Sequence, residues 1–262
     1  MKVGTLIQNE KGRLAASQIF EARRNAWRLF SSTFAVALVF AAIVRAEPPI
    51  LDLTASDGTI EDKSSHQRQL QFNGVEPMNG DKEVLLPSLE AVRIEYVDGD
   101  PLFGTGAFTF MVRCKFGRLE PYPAKPFFFA GRWDVAQDGR VIGLSFTSNG
   151  VGGVNFGVSQ FGNLSEKSLT GVGLPELPGD KWIVIVGQYE PGQFLRVQLY
   201  DADGELLASE KSKYAPPVLH KAMTPFLVGC MPEAQMTVGR VLVWDQCLSG
   251  PDVQDEVDKL VK

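Results

Sequence analysis

The chain has 262 residues, 44% of them hydrophobic and 22% charged, with a formal net charge of −5, so it can bury a substantial core and is not a disordered polyelectrolyte. Charge is unevenly divided: residues 1–46 hold seven Lys and Arg against two Asp and Glu, whereas residues 47–262 hold 19 against 29, a formal −10. A body that acidic argues against a nucleic-acid partner and is compatible with cation binding.

At the N-terminus, Arg23, Arg24 and Arg28 precede the uncharged stretch 29–44 (LFSSTFAVALVFAAIV), and Val44 and Ala46 stand at the −3 and −1 positions of a signal-peptidase site. The stretch is shorter than the roughly 20 apolar residues of a spanning helix. Residues 1–46 are therefore expected to be a signal peptide with a long n-region, cleaved before Glu47, with retention as an anchor the alternative. No stable membrane span is expected. Residues 47–262 then work outside the cytoplasm, as a secreted, periplasmic or cell-surface domain.

Beyond residue 47, short β-patterned runs alternate with Gly, Pro, Asn and Asp breaks. In chain order the runs are 69–73, 83–87, 91–97, 107–115, 127–133, 140–146, 153–159, 181–189, 194–200, 205–209, 225–229 and 238–245. About a dozen strands exceed what one open sheet holds without curling, so an all-β fold of two stacked antiparallel sheets is expected. Residues 182–186 (WIVIV) are apolar on both parities, as in a strand covered on both faces, whereas 194–200 alternates Leu195, Val197 and Leu199 with Arg196 and Gln198. Pro191-Gly192 and Asp203-Gly204 supply turns that make 180–209 a three-stranded meander. Ser249, with Asp252 three residues on, resembles a capping box and opens a short closing helix over 250–261.

Three cysteines leave one thiol over in an exported protein. Cys114 shares strand parity with Phe108, Phe110 and Val112 and is expected to be a buried thiol. Cys230 and Cys247, on either side of the last strand, are then the candidates for a disulfide.

Gly179-Asp180-Lys181-Trp182, LYDADGELLAS (199–209), Val228-Gly229 and GRVLVWDQCLS (239–249), led by LDLTASDGTIEDKSS (51–65), resemble in this order the laminin-G-like, concanavalin-A-like jellyroll family. The likeness covers residues 50–262. It implies a jellyroll sandwich of two curved antiparallel sheets, with binding loops at its rim or a groove on its concave face. Lectins, adhesion modules and glycoside hydrolases share that scaffold, so the fold does not choose among them. Two departures weaken the transfer of a ligand: Ile183 and Val184 replace the His often found as the Gly-x-Trp strand begins, and Ala202 is an extra hairpin residue.

Glycosidases of this scaffold carry two carboxylates on one strand as Glu-x-Asp-x-x-Glu, one acting as nucleophile and the other as acid. That pattern is absent. Asp98 and Asp100 flank Gly99, and Asp201, Asp203 and Glu205 crowd a second turn, where carboxylates form turns; Glu90 and Glu95 are expected on opposite faces. Only His66 and His220 occur, too few for a paired-His zinc site, and Ser145 and Ser159 lack nucleophile-elbow spacing. The segment 129–156 is richer. Trp133 closes a strand at a loop, and Asp134 and Asn149 follow in polar turns, offering a sugar a stacking face and oxygens; Trp133 equally suits a sandwich core. Laminin-G-like domains often hold a rim metal through an Asp just before a strand, a position that Asp138 matches here with Asn149 as partner, so Ca²⁺ is the expected cofactor. The expected function is an exported, non-catalytic module that binds an extracellular glycan or another polymer, or a surface protein, through rim loops. A glycoside hydrolase with an unusual motif and a protein-binding envelope domain are the alternatives.

Overall fold

Backbone pairing in the computed structural model, which describes residues 46–77, 83–88, 90–117, 128–134, 139–146, 153–162, 169–174, 178–229 and 236–262, sorts the described strands into two antiparallel sheets. The larger sheet contains β1 (Leu51–Ser56), β2 (Thr59–Asp62), β4 (Glu76–Pro77), β5 (Val84–Leu86), β7 (Phe108–Phe116), β12 (Ile183–Glu190), β13 (Phe194–Tyr200), β14 (Leu206–Lys211) and β16 (Met236–Trp244). Its order is β14-β13-β12-β7-β16-β1-β2, and β16 shares its far edge between β1 and β5. The smaller sheet contains β3 (Gln71–Phe72), β6 (Val92–Ile94), β8 (Phe128–Arg132), β9 (Ile142–Phe146), β10 (Val154–Ser159), β11 (Leu169–Leu174) and β15 (Phe226–Val228), in the order β11-β10-β9-β8-β15-β6-β3. A 12-residue helix, α1 (Gly250–Val261), ends the chain.

Strand alternation explains how the sheets meet. Phe108, Phe110, Val112, Cys114 and Phe116 of β7 all enter one core cluster. The Phe110 ring lies 5.9 Å from Phe156 of β10 and 5.9 Å from Phe226 of β15, and Phe116 lies 5.6 Å from Phe129 of β8. A Cβ on Gly187 would fall 2.5 Å from the Phe156 ring, so bare backbone on β12 is what admits that ring. The opposite parity of the larger sheet is also buried: Met111, Val184, Val186 and Leu242 are at most 1% exposed, outside the core cluster. Helix α1 buries Val253, Val257 and Leu260, spaced i, i+4 and i+7, and Gln254 Nε2 donates to Gly204 O at 3.0 Å, tying the helix to the β13–β14 turn. Val257 and Val261 lie beside Gly204 in that turn.

The meander forms as the pattern predicts, with β12 buried along nearly its whole length and β13 alternating. Asp201 Oδ1 accepts from the amides of Asp203 (3.0 Å) and Glu205 (2.9 Å), and Gly204 takes φ +86°. Ser249 caps α1, accepting from the Asp252 amide at 3.3 Å and donating to its carboxylate at 2.6 Å. Runs 69–73 and 91–97 shrink to the two residues of β3 and the three of β6, and β11, a Gly-rich run the alternation had not marked, adds an edge strand. Cys114 is buried as expected. Cys247 is a free thiol that accepts from Gln188 Nε2 at 3.5 Å, and burial and then Glu190 push its pKa up to about 11. Cys230 lies outside the described residues, so the expected bridge has no described geometry. Among the described residues no helix is long and apolar enough to cross a membrane; residues 1–45 lie outside them.

Candidate functional site

Four strands of the smaller sheet each contribute a glycine to one row. Gly131 pairs with Gly143, Gly143 with Gly157, and Gly157 with Gly171. Their neighbours Ala130, Ile142, Leu144, Phe156 and Val158 enter the core, so by alternation the glycines lie on the outward face. At an inter-strand spacing of about 4.8 Å, the row is a lane of bare backbone roughly 14 Å long. The adjacent row runs Phe128, Ser145, Asn155, Gly173, with Ser145 and Asn155 half-buried.

A bulge in β8 between Phe128 and Ala130 sends both Phe129 and Ala130 inward and leaves Phe128 outside the core. Its ring lies over the lane. A Cβ on Gly143 would fall 2.0 Å from Phe128 Cε2, and one on Gly131 would fall 3.0 Å from its Cζ and 2.4 Å from the Ile142 carbonyl. Trp133 stacks on Phe128, with ring centroids 5.3 Å apart and planes 13° apart. Trp133 is half-buried and absent from the core cluster.

The chain around this platform is tied down from beneath. Asp134 and Gly139 exchange backbone hydrogen bonds (2.9 and 3.4 Å), closing the loop after β8, and Thr224 Oγ1 donates to Gly139 O at 3.1 Å. Arg132 is 1% exposed and donates to the carbonyls of Gly104 (2.9 Å) and Ala222 (3.1 Å), with its guanidinium 5.3 Å from the Phe103 ring. It pairs with no carboxylate among the described residues, and burial lowers its pKa to about 10. Arg140 Nη1 holds the Gly162 carbonyl at 3.2 Å. Asp138 and Asn149, the residues expected to hold Ca²⁺, lie outside the described residues, and among those described no three His, Cys, Asp or Glu side chains are grouped to hold a metal.

No strand of the smaller sheet contains an Asp or a Glu. The buried carboxylates among the described residues belong to the larger sheet, and arginines hold both. Asp52 is paired by Arg240 at 2.8 and 2.7 Å. Arg68 joins Asp62 (3.2 Å) to Asp100 (2.7 and 2.6 Å). Burial opposes ionisation of Asp62, but donors from Arg68, Ser64 and Asp52 outweigh it and lower its pKa; for Asp100, burial is outweighed by the Arg68 side chain, the Leu102 amide and the charge of Arg68. Asp100 also caps the 3-10 turn Pro101–Phe103, through its bond from the Leu102 amide at 2.9 Å. Glu90 and Glu95 do not lie on opposite faces: both reach Arg93, at 3.3 and 2.8 Å, because Glu90 precedes β6 in a turn where strand parity does not apply.

Phe128, Ser145, Asn155 and the glycine row escaped sequence reasoning. Their one local signal was an x-Gly-x triplet inside each of four successive runs, at Gly131, Gly143, Gly157 and Gly171.

The sandwich, its sheet order and its closing helix define a two-sheet antiparallel jellyroll, similar in fold to concanavalin-A-like domains. No family model matches the sequence, and no curated protein matches it. Solved structures do. The receptor binding domain of botulinum neurotoxin mosaic serotype C/D matches with TM-score 0.59 and 14% identity, over 81% of this chain and 51% of that one. The serotype D ligand binding domain in complex with N-acetylneuraminic acid matches with TM-score 0.60 and 12% identity, over 80% and 50%. The binding domain of botulinum neurotoxin DC in complex with rat synaptotagmin II matches with TM-score 0.59 and 13% identity, over 81% and 51%. This chain thus spans about half of each, and the half it resembles is the Hcn sub-domain. At such identities the likeness is one of fold.

Proposed function

We propose that the chain is an exported, non-catalytic glycan-binding module that seats a saccharide on the outward face of the smaller sheet, against Trp133 and Phe128. The observation that carries this reading is the Trp133–Phe128 stack lying over the glycine lane. A sugar ring has one face of C–H groups and an edge of hydroxyls, and an aromatic body with polar neighbours suits both. Here the indole offers the apolar surface, and Ser145 and Asn155 offer a hydroxyl and an amide. Hydrolysis needs an acid and a nucleophile about 5–5.5 Å apart, or an acid and a base somewhat further. The seven strands supply no carboxylate, and the arginine-held pairs of the larger sheet are not available for it.

Support comes also from solved structures of this fold, one holding N-acetylneuraminic acid and another described as entering cells through interaction with two ganglioside molecules. Export rests on the charged n-region, the uncharged stretch 29–44 and Val44/Ala46; N-terminal sequencing from the native host should begin at Glu47. A glycan array probed with the chain and its Trp133→Ala variant tests the binding face. Binding that is lost with Trp133 supports the reading. Binding that survives undiminished, or turnover of any bound glycan, overturns it.

A further inference from the structure

The edges of the two sheets bound a cavity of about 570 Å³ far along the sequence from Trp133, between the edge strand β2 and the segment that leads into the edge strand β3. We propose that this cavity is a second binding site, for a single neutral pyranose ring. Its volume falls in the range of small-ligand pockets, roughly 300–1,000 Å³.

The walls differ in kind. On one side stand Phe72, 50% exposed, and Leu70, packed against the core. On the other stand the exposed side chains of Glu61, Lys63 and Gln67. The floor is Arg68 and Asp62, already joined to each other. Glu61 and Asp62 balance Lys63 and Arg68 in charge, so the lining selects neither an anion nor a cation, and the described residues group no metal-binding cluster there. A lining that combines an aromatic ring with an acceptor, an ammonium and an amide is complementary to a neutral amphipathic ring.

The 64–68 turn lines the cavity through Gln67 and Arg68. Residues 64–68 turn back over β2, with the Gln67 amide donating to Ser64 O at 3.2 Å and the Arg68 amide to Asp62 Oδ2 at 3.0 Å. That turn holds Gln67 at φ +46°, a conformation costly for a residue with a side chain, and points to a use for the side chain presented there.

The test is a ¹H–¹⁵N NMR titration of the full chain with the methyl pyranosides of glucose, galactose, mannose and N-acetylglucosamine. Saturable millimolar shifts are expected at amides 61–72 for at least one of the four. Phe72→Ala, at a half-exposed position of a two-residue edge strand, should weaken that binding by about tenfold or more. Gln67→Gly, which accepts the positive φ, should weaken it with the fold intact. Trp133→Ala should leave it unchanged. No saturable shift at 61–72 with any of the four sugars, or shifts that persist undiminished in Phe72→Ala, would overturn the proposal. Shifts confined to 128–133 that vanish with Trp133 would also overturn it, while leaving the Trp133 face standing.

Discussion

The outward faces of the two sheets have been put to opposite uses. On the larger sheet, Met111, Val184, Val186 and Leu242 are large, apolar and buried, and α1 adds Val253, Val257 and Leu260. On the smaller sheet the corresponding face carries Gly131, Gly143, Gly157 and Gly171, with two stacked aromatic rings beside them. One face is apolar and buried, and that burial stabilises the fold. The other gives up side-chain bulk, and the Phe128 ring closes over the buried glycines and carries the Trp133 ring. Carboxylates divide the same way: the larger sheet has Asp52, Glu61, Asp62, Glu76, Glu190 and Glu210 in its strands, and the smaller has none.

The largest effect should come from the stabilising face. Trp244, 1% exposed with its indole donating to Glu47 O at 2.9 Å, follows Leu242 on that side. Trp244→Ala should cost about 3–5 kcal/mol in a denaturant titration, and below the midpoint the remaining folded protein should bind glycan as before. Should glycan affinity fall in parallel, the two faces are coupled and the division is wrong.

Gly143→Ala should cost less, about 1–3 kcal/mol, but it should reach function. The new methyl would meet the Phe128 ring and the Ala130 carbonyl, at 2.0 and 2.5 Å, so the ring must leave the lane and Trp133 loses its support. Thermal melts and array binding read the two effects together, and retained binding would separate the lane from the site. Trp133→Ala inverts the ratio. Its stability change should stay near the worth of the Phe128 stack, about 0.5–1.5 kcal/mol, while glycan affinity should drop on the order of tenfold to a hundredfold, about 1.4–2.8 kcal/mol by calorimetry.

The stabilising face was far easier to read than the face proposed to bind glycan. The meander at 180–209, its Asp203-Gly204 turn and the Ser249 cap are written in residues that lie within a few positions of one another. Alternation alone marked β12 as doubly covered. The glycine row is different in kind: its members are 12 to 14 residues apart in sequence, and only the register of three successive strand pairings aligns them. The outward turn of Phe128 depends on a bulge, which shifts the parity that a pattern of consecutive Phe127, Phe128 and Phe129 cannot reveal. Trp133 was legible as a candidate because a Trp at a strand end is conspicuous, whereas its stacking partner is one of three consecutive phenylalanines that the pattern does not tell apart.

The smallest effect at neutral pH, and the most selective between sheets, is acidification. Asp62 and Asp100 have folded-state pKa values below their unfolded ones, near 3.9. A lowered pKa adds stability that is fully present above the unfolded value and is lost as pH falls through the folded one. No change from this pair is therefore expected between pH 7 and about pH 5, and a progressive loss below about pH 4. The loss should begin where the pair sits. Protonated Asp62 gives up its charge-assisted bonds from Arg68 and the amides of Asp52, Ser64 and Arg68, which pin the end of β2 to β1 and to the 64–68 turn. Amide exchange at pH 3–4 should accordingly rise first in β1, β2 and the Pro101–Phe103 turn, while β8, β9 and β10, with no carboxylate of their own, keep their protection. Asp100→Asn should flatten the acid limb of the melting-temperature profile, since one of the two titrating groups has been removed while Arg68 keeps Asp62. An acid limb as steep as wild type in that variant, or first loss of protection in β8–β10, would mean that the arginine-held carboxylates do not set the acid response and that the two sheets are not divided as their charges suggest.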